Sequence, residues 1–144
     1  MLDKKNSNKT DEDIIIKTLD NSGDHRGDNF LVPHESFASF GKVDAMHIAD
    51  IQPGAIRGNH YHIDQKEILV VLFKDSWQFG WGASDSDNIK TRDFNGAGAV
   101  LIEISPQVAH AVSNTGDKPM TIVAVYDAQK TGGAGSQTVR KVLL

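Results

Sequence analysis

Gly54-Ala55-Ile56-Arg57-Gly58-Asn59-His60-Tyr61-His62-Ile63-Asp64-Gln65-Lys66-Glu67 concentrates more chemistry than any other part of this chain. On an extended strand, alternate side chains leave the same face, so His60 and His62 present both imidazoles to one side and Tyr61 packs on the other. The polar gap from Ile63 to Lys66 allows a turn that brings the Glu67 carboxylate back toward the two rings. A fourth candidate lies far downstream. His110 follows the turn marked by Pro106 in the segment from Ser105 to Asn114 and enters a short alternating strand. Three imidazoles and one carboxylate form a ligand set suited to Zn, Mn, Fe, Ni or Co, commonly with positions left for water or substrate. The competing reading is a protein interior in which the same groups hydrogen-bond to one another without an ion. That arrangement must offset the desolvation of every imidazole and of the carboxylate by pairing alone.

The chain around this stretch reads as short strands separated by turns. Ile14-Ile15-Ile16 opens a β-branched segment, and residues 21–28, with Gly23 and Gly27, form a turn-rich connector. Strands are expected at 30–32, 43–52, 67–73, 76–83, 88–94, 99–104, 108–113, 120–126 and 138–143. The breaks hold Pro53-Gly54, Lys74-Asp75, Asn95-Gly96 and Thr115-Gly116-Asp117. Such spacing, with little helical periodicity, predicts an all-β sandwich or closed barrel. Trp77, Phe79 and Trp81 alternate with Gln78 and Gly80, which places three aromatics on one strand face, filling the barrel or a subunit contact in preference to forming a substrate-stacking wall. Thr131-Gly132-Gly133-Ala134-Gly135 lacks the Lys-Ser/Thr of a phosphate-binding loop and reads as a link to the last strand.

Composition narrows the classes of function. At 144 residues one domain with a real core is expected. A net charge of -4 without a basic run argues against nucleic acid or an anionic membrane as a main partner. The absence of cysteine excludes disulfides and thiolate metal sites. Residues 1–12 are too polar to repay ordering and are expected to form a mobile tail, with one domain over 13–144. No apolar run has the length of a membrane span, and the polar N-terminal sequence has no signal-peptide core, so a cytoplasmic protein is expected.

These motifs resemble the cupin superfamily. Gly54, His60, His62 and Glu67 fall on the first cupin motif, G-x5-H-x-H-x4-E, and His110 and Asn114 on the second. Two positions depart from it: Lys74 stands where the first motif usually ends in glycine, and the Pro-x-Gly of the second is shifted to Ser105-Pro106-Gln107. The resemblance spans roughly residues 43–127 and implies a single-domain double-stranded β-helix, or jelly-roll barrel, with a divalent metal on His60, His62, Glu67 and His110, zinc ahead of the other four. Exposed sheet edges further suggest a homodimer.

Asp24, Arg26 and Gly27, followed by Arg57 and His60, are similar to the arrangement in cupins that modify nucleotide-linked deoxysugars. The segment from Gly58 to Val71 comes nearest to the cupin half of bifunctional capsular polysaccharide enzymes. The resemblance implies an epimerase or isomerase acting on a keto-sugar nucleotide in polysaccharide biosynthesis. Arg57, expected in the loop before the ligand strand, would hold a phosphate, and His47 or Tyr126 would carry the proton. In the metal-free epimerases of this group the first histidine is the base and the second is replaced. Here both are present, which favours a metal role for His60. The alternatives left open by the ligand set are an Fe(II)-dependent oxygenase and a non-catalytic binder of metal or a small ligand.

Overall fold

The computed structural model describes residues 13–128 and 138–144; the expected N-terminal tail and the glycine-rich link at 131–135 lie outside them. Ten strands are described: β1 (Ile14–Thr18), β2 (Val43–Ile51), β3 (Ile56–His62), β4 (Glu67–Phe73), β5 (Trp77–Ala83), β6 (Lys90–Phe94), β7 (Gly98–Ile104), β8 (Val108–Asn114), β9 (Met120–Asp127) and β10 (Thr138–Arg140). They form two five-stranded sheets, ordered β1-β7-β4-β9-β2 and β10-β3-β8-β5-β6. Neighbouring strands are antiparallel throughout. The architecture is all-β and jelly-roll-like, as the strand pattern predicts.

Alternation along each strand decides what faces the shared core. Leu69, Val71 and Phe73 of β4 and Val100, Ile102 and Ile104 of β7 pack from one sheet against Trp77 and Phe79 of β5 and Val112 of β8 from the other. The indole of Trp77 stacks on Phe94, with centroids 4.1 Å apart and planes 7° from parallel. Trp77 and Phe79 are fully buried and Trp81 packs half-buried against the same core, so the aromatic strand is core filling. Burying a side chain such as Phe79 contributes about 2–3 kcal/mol. The same parity sends Ile68 of β4 and Ala99 and Leu101 of β7 to the outer face of their sheet. There they are covered by Leu19, Phe30, Val32, Phe37 and Phe40.

That outer cover corrects the expectation of a strand at 30–32. Phe30 makes only an isolated bridge with Asn21, and the segment runs on into a single-turn 3-10 helix at His34–Phe37. Its apolar side chains are spent on the sheet's outer face, not on a ladder. The final strand is also shorter than expected, ending at Arg140. Beyond it the Lys141 ammonium donates to the carbonyls of Ala83, Ser84 and Ser86, at 2.9, 3.1 and 2.6 Å.

The turns at which this chain departs from the cupin motifs still form. Lys74 and Asp75 join β4 to β5, and Gln107 adopts φ +66° where the motif has glycine. Gln107 is held there by its own bonds. Its amide donates to the His62 carbonyl at 2.8 Å, and its side chain donates to the Ile63 carbonyl at 3.1 Å. Asn114 is a corner post, its side-chain amide donating to the carbonyls of Ile51 and Lys118 and its oxygen accepting from the Gly116 amide. Among the described residues no helix is long and apolar enough to cross a membrane.

Candidate metal centre

His60, His62, Glu67 and His110 come together in the structure. Their candidate ligand atoms all lie within 4.8 Å of one another. Each arrives on an inward strand position. Glu67 shares the parity of Leu69 and Val71 on β4, and His110 shares that of Val112 on β8. His60 lies directly opposite His110 in the β3–β8 ladder, and opposed residues share a face.

Arg57 and His60 both line the resulting cavity, although three residues of regular strand would send them to opposite faces. A register shift between Gly58 and His60 resolves this, because Arg57 opposes Val112 and His60 opposes His110. The inserted residue, Asn59, sits at φ +56°, and Gly58 before it at φ +95°. This bulge re-aims the strand so that both side chains point inward. Arg57 therefore belongs to β3 itself, correcting its expected place in a preceding loop, and its Nε donates to the Asp50 carbonyl at 2.8 Å.

The donor atoms are clustered as a metal site requires and are not joined to one another by hydrogen bonds. Glu67 Oε2 lies 2.8 Å from His110 Nε2 and 3.3 Å from His62 Nε2. Neither approach has the geometry of a hydrogen bond, leaving all three atoms buried without such a partner. Donors bound at about 2.0–2.2 Å around one ion stand roughly 3.0–3.4 Å apart. Two of the three ring pairs repeat this pattern, with centroids 5.0 Å apart for His60–His62 and His60–His110, while His62–His110 stands wider at 5.9 Å. Three imidazoles on one cation place their centroids about 5 Å apart. The outward nitrogens are engaged: His110 Nδ1 lies 3.0 Å from the Val108 carbonyl and His62 Nδ1 lies 3.1 Å from Thr138 Oγ1. A ring that donates from Nδ1 to a carbonyl keeps its lone pair on Nε2, which is the state a metal requires.

Electrostatics without an ion show the cost of this clustering. Burial, then the neighbouring His110 and His62, lower the His60 pKa to about 4, against an opposing pull from Glu67. For Glu67, burial alone would raise the pKa, but His110 and then His62 outweigh it and hold the carboxyl below its usual range. Burial would lower His110, yet Glu67 beside it raises that group overall. Burial, reinforced by Glu67, pushes the Tyr126 hydroxyl up.

Above this floor the cavity is walled by His47 and Ala49 of β2, Leu69 of β4, and Ile122, Ala124 and Tyr126 of β9. The Tyr126 ring packs edge-on against both His47, at 5.4 Å, and His62, at 5.0 Å. Asp24 and Arg26 are elsewhere. They close an exposed turn on themselves, with Arg26 paired to Asp24 at 2.7 Å, and neither lines this cavity. Of the residues that shape the site, the sequence reading did not identify Thr138 or the bulge at Asn59. Gly58-Asn59 is a dipeptide that tolerates positive φ, and it was the available signal for the bulge. No local signal places Thr138 beside His62.

The sequence pattern of the polysaccharide biosynthesis C-terminal domain matches residues 22–131. No curated protein matches the chain in sequence. Among solved structures, the chain is similar to QdtA, a sugar 3,4-ketoisomerase from Thermoanaerobacterium thermosaccharolyticum in complex with TDP. That match has 14% identity over 90% of this chain and 88% of that one, with a TM-score of 0.64. A dTDP sugar isomerase from Desulfovibrio desulfuricans G20 matches at 14% identity over 91% of this chain and 85% of that one, with a TM-score of 0.70. CapF, solved with an inhibitor, matches at 17% identity over 87% of this chain but 35% of its own, with a TM-score of 0.59. At these identities the structural matches speak for the fold, which is that of a cupin, while the sequence match covers most of the chain. The chain therefore belongs to the polysaccharide biosynthesis C-terminal domain family.

Proposed function

We propose that this protein is a metal-dependent epimerase or isomerase acting on a keto-sugar nucleotide, built as one double-stranded β-helix domain over 13–144. The observation that carries the reading is the convergence of three imidazoles and one carboxylate, of which His60, Glu67 and His110 line a cavity whose wall holds His47, Arg57 and Tyr126. The printed activities of the structural neighbours, a sugar 3,4-ketoisomerase and a dTDP sugar isomerase, support the substrate class.

In this reading His60, His62, Glu67 and His110 hold a divalent cation, zinc ahead of manganese, iron, nickel or cobalt. When bound, the cation supplies Lewis-acid polarisation of the sugar ketone, favouring loss of a proton from the adjacent carbon. Arg57, fixed through its Nε, has its terminal guanidinium nitrogens available to the diphosphate. Tyr126, a phenol that is protonated at neutral pH as tyrosine ordinarily is, borders the cavity and is the group to deliver a proton to the substrate. His47, in ring contact with Tyr126 on the exposed edge strand β2, is the group to remove one. Met46 and Ile48 on β2 are 59% and 71% exposed, which supports a homodimer through that edge.

The test is solvent exchange. Zinc-loaded protein incubated with TDP-4-keto-6-deoxyglucose, the sugar carried by one structural neighbour, in D2O is expected to incorporate deuterium beside the ketone, and His62→Ala is expected to abolish this. Undiminished exchange by His62→Ala stripped of metal rejects the metal role. Oxygen consumption with Fe(II) in place of exchange would favour the oxygenase alternative.

A further inference from the structure

We infer that the C-terminal segment 138–144 is a strap that orients the metal ligand His62 through Thr138. The inference rests on the metal-centre reading above. Thr138 lies directly opposite His62 in the β10–β3 ladder, and its Oγ1 is 3.1 Å from His62 Nδ1. When that oxygen accepts from Nδ1–H, the proton is kept off Nε2, the His62 nitrogen that lies 3.3 Å from Glu67 Oε2.

The strap is anchored independently of the histidine. The Asn59 side-chain oxygen accepts from the amides of Leu143 and Leu144, at 2.8 and 3.2 Å, and the Asn59 carbonyl accepts from the Lys141 amide at 2.8 Å. The Lys141 ammonium is tied to three carbonyls of the β5–β6 turn. The residue that forms the bulge in β3 therefore also clamps the strap. One residue, Asn59, thus helps set both the inward turn of His60 and the position of Thr138 over His62. Thr138 is a positioning residue in this scheme, acting on the metal through the ring it holds.

The experiment uses full-length protein stripped of metal, with Thr138→Val, nearly isosteric but without the acceptor, and Thr138→Ser, which restores it. Zinc affinity is measured by competition with a chromophoric chelator, and the His62 tautomer in the metal-free protein by long-range proton–nitrogen NMR. Thr138→Val is expected to bind zinc at least about tenfold more weakly and to lose the predominance of the Nδ1–H tautomer, with Thr138→Ser close to wild type on both. Thr138→Ala replaces Thr138→Val if thermal melts show the latter unfolded. Wild-type affinity together with an unchanged tautomer in the acceptor-free variant overturns the proposal. Failure of the wild-type protein to bind zinc would instead sink the metal-centre reading, and the tautomer measurement would still decide what Thr138 does to the ring.

Discussion

A β-carbon added to Gly58 would lie 2.7 Å from the carbonyl oxygen of His110. The backbone of β3 thus runs against β8 at the point where the two strands bring His60 and His110 together. Gly58 also holds φ +95°, a conformation that side-chain-bearing residues rarely adopt.

Gly58→Ala is therefore expected to cost about 2–3 kcal/mol in urea denaturation and to weaken metal binding with it. Gly54→Ala is the matched control. It has φ +81° but nothing within 4 Å of the added carbon, so only the conformational cost of about 1 kcal/mol applies, with metal affinity intact. Equal losses in the two variants would show that the close approach at Gly58 does not matter.

Glu67→Gln keeps the shape of the buried carboxylate and removes its charge. Metal affinity is expected to fall by more than tenfold, read by isothermal titration of zinc into stripped protein. Retained affinity would remove Glu67 from the ligand set.

Two histidines contribute to the stability profile of the metal-free protein with opposite sign, and the depressed Glu67 carboxyl adds to the loss of stability at still lower pH. His60 titrates at about 4 in the folded state against 6.5 ordinarily, so the unfolded chain binds more protons between those values. Stability from His60 is present above pH 6.5 and is lost as pH falls toward 4. His110 is raised, so its contribution is complete below 6.5 and is lost as pH climbs through its folded value. Urea midpoints of stripped protein are expected to fall on the acid side of 6.5, with His60→Asn flattening that limb. An acid limb as steep in His60→Asn as in wild type would assign it to other groups.

Asn114→Ala removes a fully buried amide that serves the carbonyls of Ile51 and Lys118 and the amide of Gly116. Leaving the Ile51 carbonyl without its donor is expected to cost about 3 kcal/mol, lowering the melting temperature without altering the metal stoichiometry.

Under the proposed function, in which Arg57 holds the diphosphate, Arg57→Ala is expected to weaken TDP binding about tenfold by calorimetry, with Arg57→Lys recovering only part of it, because a point charge cannot reproduce a two-pronged contact. Unchanged TDP affinity would leave Arg57 as a structural partner of the Asp50 carbonyl alone.

Much of this site is written locally. Strand alternation alone puts His60 and His62 on one face and Glu67 on the face of Leu69 and Val71, and the apolar runs and turn dipeptides imply a two-sheet protein. These features depend on neighbours within a few residues, where backbone geometry leaves little choice. Long-range pairing decided the rest. Parity by itself separates Arg57 from His60, and only the bulge at Asn59, formed against β8, puts both in one cavity. The 30–32 segment reads as a strand in isolation, yet the outer face of the β4–β7 sheet claims its apolar side chains. Thr138 reaches His62 across 76 positions of chain. No local rule encodes that contact, because its partner is chosen by the folding of the sheet and not by the residues on either side of it.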